Sequence, residues 1–90
     1  MKTAIELGYI TASTVISEMG GTGNVAALLK IKPPSVSEWR INNAIPDDKL
    51  IRLAPQIEIE TNSRITRKFL FPFDWEAIWP ELSKQDTKTQ

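Results

Sequence analysis

Cysteine and histidine are both missing from the 90 residues. Their absence removes disulfide frameworks, thiol nucleophiles, imidazole general bases and the usual zinc ligands in one step. No metal or other cofactor is expected. An excess of charge is missing too, because 11 Lys and Arg balance 11 Asp and Glu, which counts against a general polyanion binder, a class that is commonly basic. Long apolar runs are also lacking. In the opening MKTAIELGYITAS, Glu6 interrupts the apolar residues well short of a secretory core or a membrane span, so the expected location is the cytoplasm. Finally, length is short: 90 residues hold one domain and leave no room for a second, catalytic one. A chain of this size buries roughly 60 to 65% of the surface its unfolded form exposes and folds without staples.

What is present is a globular composition, 41% apolar and 24% charged, in helix-compatible segments broken by short polar turns. The expected fold is all-α, a small bundle of about five helices spanning residues 1–82, with 83–90 a loose tail. The charges are unevenly spread. Residues 22–52 carry Lys30, Lys32, Arg40, Lys49 and Arg52 against Glu38, Asp47 and Asp48, and Arg64, Arg67 and Lys68 form a second basic cluster. Acids gather at Glu58, Glu60, Asp74, Glu76 and Glu81. A basic face backed by an acidic one and an ordinary mixed surface both fit that distribution.

The run GGTGNVAALL raises a specific question, since Gly21, Gly23 and Ala26 spell G-x-G-x-x-A, the outline of a dinucleotide fingerprint. That fingerprint needs a strand entering the glycines and a second strand after the helix. Here the preceding TASTVISEMG spaces Val15, Ile16 and Met19 as a helix does, and the segment after the glycines ends early at Pro33-Pro34. The glycines therefore read as punctuation. Gly20 and Gly21 suit a helix C-terminus, where a left-handed residue is often needed, and Thr22 or Asn24 suits the cap of the next helix. Lys30 to Lys32 form a turn, and Pro33 or Pro34 fits the first turn of a new helix, where a missing N–H costs nothing.

Two short helices joined by about three residues make a helix-turn-helix unit. Counting Thr22 as the first of twenty positions, that unit carries apolar residues at the fourth, eighth, tenth, fifteenth and eighteenth, and a small one at the fifth. Val25, Leu29, Ile31, Val36 and Trp39 occupy the first five, and Ala26 the last. Lys30 departs from the pattern at the ninth, where glycine usually supplies the left-handed turn. Lysine there costs about 1 kcal/mol or shifts the turn.

The stretch GGTGNVAALLKIKPPSVSEWR, then Ile45-Pro46 opening a further helix, then TNSRITRKFLFPFDWEAIWPEL, resembles the Cro/YdaS-like prophage regulators over residues of about 12 to 82. The tail pattern x-T-R-x-x-L-x-P-x-x-W is shared, with Ser63 where glycine is common. The resemblance implies a small helical protein that binds double-stranded operator DNA and represses transcription in a prophage control region, without catalysis. Some members of the family are antitoxins, so a toxin protein is the alternative partner.

In a helix-turn-helix protein the N-terminal part of the second helix enters the major groove. At about 100° per residue, Val36 and Trp39 define its buried direction, and the opposite face holds Pro34, Ser37, Glu38 and Ile41. Pro33, Pro34, Ser37 and Glu38 are the base-reading candidates, and the resemblance points to the same positions. The prolines donate no hydrogen bond, so they either touch thymine methyls or simply start the helix. Glu38 either accepts from a cytosine or adenine amino group or is a solvated acid. Thr22, Asn24, Lys32, Ser35, Arg40, Asn42 and Asn43 are the phosphate candidates, the first two because a helix N-terminus favours an anion. Each is equally readable as a cap or a surface residue.

Beyond the motif, Ile45-Pro46-Asp47-Asp48 starts a helix with acids that complement its dipole. Leu50, Leu53, Ala54 and Ile57 continue an apolar stripe. Pro55 is expected to break or kink the run, leaving a second short helix to about Glu60 or, because Ile57 and Ile59 alternate, a short strand near 57–66. FLFPFDWEAIWPEL reads as a lid over the core or as a self-association surface built from Phe71, Phe73, Trp75 and Trp79, since two copies are needed to read a two-fold operator as a homodimer or higher homo-oligomer.

Overall fold

The computed structural model describes residues 1–83. Most of the expected tail, residues 84–90, lies outside the described residues. Six helices follow one another, α1 (Ala12–Glu18), α2 (Thr22–Leu29), α3 (Pro33–Asn42), α4 (Asp47–Glu60), α5 (Arg67–Leu70) and α6 (Trp75–Ile78). A last helical turn begins at 80 and reaches the end of the described chain. The architecture is all-α, as the sequence reading expects, and no strand occurs among the described residues.

Four of these helices begin where the sequence provides a start. Thr11 caps α1 by accepting from the Thr14 N–H, and Thr66 caps α5 by accepting from the Phe69 N–H, each satisfying a donor that has no intrahelical partner. Pro33 and Pro34 occupy the first turn of α3. Asp47 and Asp48 sit in the first turn of α4, where negative charge meets the positive end of the dipole. The Asp48 carboxyl is held below its ordinary pKa, first by the hydrogen bond from Lys49.

The ends of α1, α2, α3 and α4 share one device. Gly21 N–H reaches Ile16 O at 2.9 Å, Ile31 N–H reaches Ala26 O at 3.0 Å, Ala44 N–H reaches Trp39 O at 3.1 Å and Ser63 N–H reaches Glu58 O at 2.8 Å. Each is the wide bond of a Schellman ending, which requires a left-handed residue inside it. Gly20, Lys30, Asn43 and Asn62 take that conformation, with φ of 95°, 58°, 52° and 52°. Lys30 therefore keeps the turn geometry that glycine would give, and bears the strain. Ser63 is also left-handed, at φ 65°, so the turn before Ile65 forms without glycine.

The expected break at Pro55, with its second short helix, and the alternative short strand near 57–66 are corrected. Pro55 lies inside an uninterrupted α4, and residues 57–66 hold no strand but the last helical residues and a turn. The carbonyl that Pro55 leaves without a partner is that of Ile51, and both residues are only partly buried, on a side of the helix that water reaches. Meanwhile Leu50, Leu53, Ala54 and Ile57 are all buried. Burying four apolar side chains on one stripe, at roughly 1.5 to 3 kcal/mol for each large one, holds the helix through a proline that costs about 3 kcal/mol.

The core gathers Val15 and Ile16 of α1, Val25, Ala26 and Leu29 of α2, Val36 of α3, the α4 stripe, and Leu70 with Phe71. Its floor includes an N-terminal arm. Ala4 and Ile5 are buried, and the Ala4 N–H donates to Leu70 O at 2.8 Å. Thr61 closes the α4–α5 turn from inside: its hydroxyl donates to Ile57 O at 2.7 Å and accepts from the Ile65 N–H at 3.1 Å.

Candidate nucleic-acid interface

α2 and α3 form the helix-turn-helix, and their packing explains the exposed surface. Val25, Ala26, Leu29 and Val36 are buried where the two helices meet the core, while Ile31 and Trp39 are partly buried and packed against it. With those side chains turned inward, the periodicity of α3 forces the others outward. Pro33, Pro34, Ser35, Ser37, Glu38, Ile41, Asn42 and Asn43 are exposed, as is Lys32 just before the helix. All four base-reading candidates thus share the outer surface of one helix.

The phosphate candidates divide. α2 starts from Gly21 with no side-chain cap, so its first N–H groups point outward with the positive end of the dipole. Neither Thr22 nor Asn24 caps it. Asn24 instead donates its Nδ2 to Met19 O, closing α1. Arg40 lies beside this helix start: its Nη1 is 3.4 Å from Thr22 Oγ1 and its Nη2 3.3 Å from Ser17 Oγ. Both contacts are long for hydrogen bonds to a guanidinium, whose charge-assisted bonds to anions shorten to about 2.7–2.9 Å. Asn43 is drawn into the fold, because its Oδ1 accepts from the Ala12 N–H at 2.8 Å. Only its amide NH2 is left to face outward.

The second basic cluster is consumed internally. Arg64 pairs with Glu18 at 2.9 Å, and Arg67 pairs with Glu58 at 2.8 Å and also lies over the Trp79 ring. Lys68 stands 4.4 Å from the centroid of the Trp75 ring. By contrast, residues 22–43 carry three cations, Lys30, Lys32 and Arg40, against the single acid Glu38.

The four aromatics expected to form a self-association surface do not share one. Phe71 is fully buried and Trp79 nearly so, packed edge to face at 5.5 Å between centroids. That corrects the expectation for these two, whose area is spent on the core. Trp75 is half-buried, and Phe73 is 72% exposed. Sequence reasoning missed Tyr9 and Phe69, which are exposed and stand 6.3 Å apart as a tilted pair. Ile41, placed on the outer face but not among the base readers, is 81% exposed, the highest value among the large hydrophobics of the described residues.

No helix of the described residues is long and apolar enough to cross a membrane. No curated protein and no solved structure matches the chain. A family model described as DNA-binding transcriptional regulator Cro matches residues 11–74, which takes in α1 through α5 with the whole helix-turn-helix. The chain therefore belongs to the Cro family of DNA-binding transcriptional regulators.

Proposed function

We propose that this regulator is a sequence-specific repressor of a prophage operator, bound as a homo-oligomer with α3 in the major groove. The observation that carries the reading is the alignment of two surfaces. The outer face of α3 presents Pro33, Pro34, Ser37 and Glu38, and beside it the uncapped start of α2 meets the Arg40 guanidinium. Base contacts specify and phosphate contacts position, and this arrangement offers both on one side of the molecule. Thr22, Lys32, Ser35, Arg40 and Asn42, with the backbone of the first turn of α2, form the positioning set. Asn24 and Asn43 join it only through what their bonds to Met19 and Ala12 leave free.

Homo-oligomerisation is supported by the exposed Phe73 and the Tyr9–Phe69 pair, because scattered single hydrophobics are ordinary on a surface while grouped aromatics more often meet a partner. Footprinting on DNA upstream of the chain's own gene tests the reading. Two protected segments about 10 base pairs apart, centre to centre, are expected of a two-fold complex. A chain that protects nothing there, and captures the product of a neighbouring gene instead, is an antitoxin and overturns the repressor reading.

A further inference from the structure

The outer face of α3 carries one residue that belongs to none of the core, the base-reading candidates and the phosphate set. Ile41 is 81% exposed, on a helix whose buried residue is Val36 and whose half-buried side is Trp39 and Arg40. An isoleucine so placed contributes nothing to the core. It lies seven residues after Pro34, three after Glu38 and four after Ser37, and all four residues are exposed. Positions spaced i, i+3, i+4 and i+7 form one stripe along a helix, and that is also the spacing at which a recognition helix lying lengthwise in the major groove reads bases.

We propose that Ile41 is a specificity-determining residue that reads the 5-methyl group of a thymine, and that α3 accordingly lies along the groove. This rests on the DNA-binding reading above. The chemistry follows from the side chain. Isoleucine neither donates nor accepts a hydrogen bond, and the thymine methyl is the one apolar group that a base edge presents in the major groove. Pro34 to Ile41 spans about 10 Å of helix at 1.5 Å per residue, close to three base-pair steps of 3.4 Å. Ile41 therefore meets a different base pair from the prolines. The neighbours agree with this occupant. Ser37 and Glu38 between the two apolar ends are a donor-acceptor and an acceptor, suited to base edges.

The test uses the full chain and duplexes chosen by repeated selection from random DNA, with single thymines replaced by deoxyuridine, and reads affinity by fluorescence anisotropy. For the wild type, at least one thymine position per half-site should cost about fourfold on losing its methyl, the worth of one buried methyl group. For Ile41→Ala, affinity for the thymine duplex should fall to a similar extent, and the deoxyuridine penalty at one such position should vanish while penalties elsewhere remain. If Ile41→Ala keeps every penalty, or if no position responds, the proposal is wrong although the DNA-binding reading stands. A change in oligomeric state on sedimentation, with all penalties intact, assigns Ile41 to a contact between copies and also overturns it. If selection enriches no sequence at all, the sequence-specific reading fails with it. Unchanged thermal melting of Ile41→Ala separates these outcomes from misfolding.

Discussion

Asn43 is a joint between α3 and α1, and its removal should cost stability in a graded way. Two features act at once: its backbone is left-handed, at φ 52°, and its Oδ1 accepts from the Ala12 N–H at 2.8 Å. Ala12 is fully buried in the first turn of α1, so its N–H has neither an intrahelical partner nor ready access to water. Asn43→Gly keeps the backbone conformation without strain but strands that donor, which costs about 1 to 2 kcal/mol. Asn43→Ala strands the donor and adds about 1 kcal/mol or more for a left-handed alanine. Asn43→Asp retains an acceptor; its charge is adverse at the end of α3 and favourable at the start of α1, two terms of about 0.3 to 1 kcal/mol that oppose each other. The expected order of melting temperature is wild type close to Asn43→Asp, then Asn43→Gly, then Asn43→Ala. Each kcal/mol corresponds to about 4 to 8 °C at this size. Thermal denaturation followed by circular dichroism gives the ranking. Equal melting of Asn43→Gly and the wild type would refute the reasoning, since the bond to Ala12 would then stabilise nothing. Titrating DNA with Asn43→Asp at several salt concentrations adds a second reading. The added carboxylate repels phosphate by itself, so binding should weaken if residue 43 lies beside the backbone, and unaltered binding takes residue 43 out of the positioning set.

Lys30→Gly relieves a left-handed lysine at φ 58° and should stabilise the fold by about 1 kcal/mol, read as a rise in melting temperature; no rise would mean that the lysine offsets its strain at the end of the α2 dipole. Gly23→Ala should move stability and binding in opposite directions. A methyl there meets nothing within 4 Å and favours the helix by about 0.5 kcal/mol, yet it would hold a phosphate away from the first turn of α2, so DNA affinity should drop. Unaltered affinity would take that turn out of the interface. Arg40→Ala should lower the slope of log affinity against log salt by about one unit, the share of one neutralised phosphate; an unchanged slope removes Arg40 from the positioning set.

The helix-turn-helix was legible because its signal is steric. Val25, Ala26, Leu29 and Val36 must be apolar or small wherever two short helices cross closely, and they are the buried residues of α2 and α3. Two helix starts are legible for a similar reason, since Pro33 and Asp47 each act within one turn of their own position, whereas the caps at Thr11 and Thr66 go unread and the one expected at Thr22 or Asn24 does not form. What escaped were contacts between distant positions. The partner of Asn43 is 31 residues away, and nothing local distinguishes a cap of its own helix from a joint to another. The Ala4 and Ile5 arm carries no helical period, so its burial was invisible. In the aromatic segment, helices of only four residues are too short for periodicity to tell the buried Phe71 from the exposed Phe73. Pro55 misled because a local rule met four buried neighbours and lost.

The balanced net charge, which first argued against a polyanion partner, has a structural explanation. Arg64, Arg67 and Lys49 are each paired with a carboxylate at 3.0 Å or less, so three of the eleven cations are offset by acids that lie outside α2 and α3. Surface pairs of this kind add little stability, but they sort the field. Around α2 and α3 three cations face one acid, and the helix dipole adds to them at the start of α2. Attraction to DNA is then local and modest, not general. On the proposed docking few phosphates are neutralised per copy, and the expectation is weak non-specific binding with a shallow salt dependence. On that docking, affinity has to come instead from the outer face of α3, and a chain with no net charge would then discriminate among sequences more sharply than a basic one that holds any duplex.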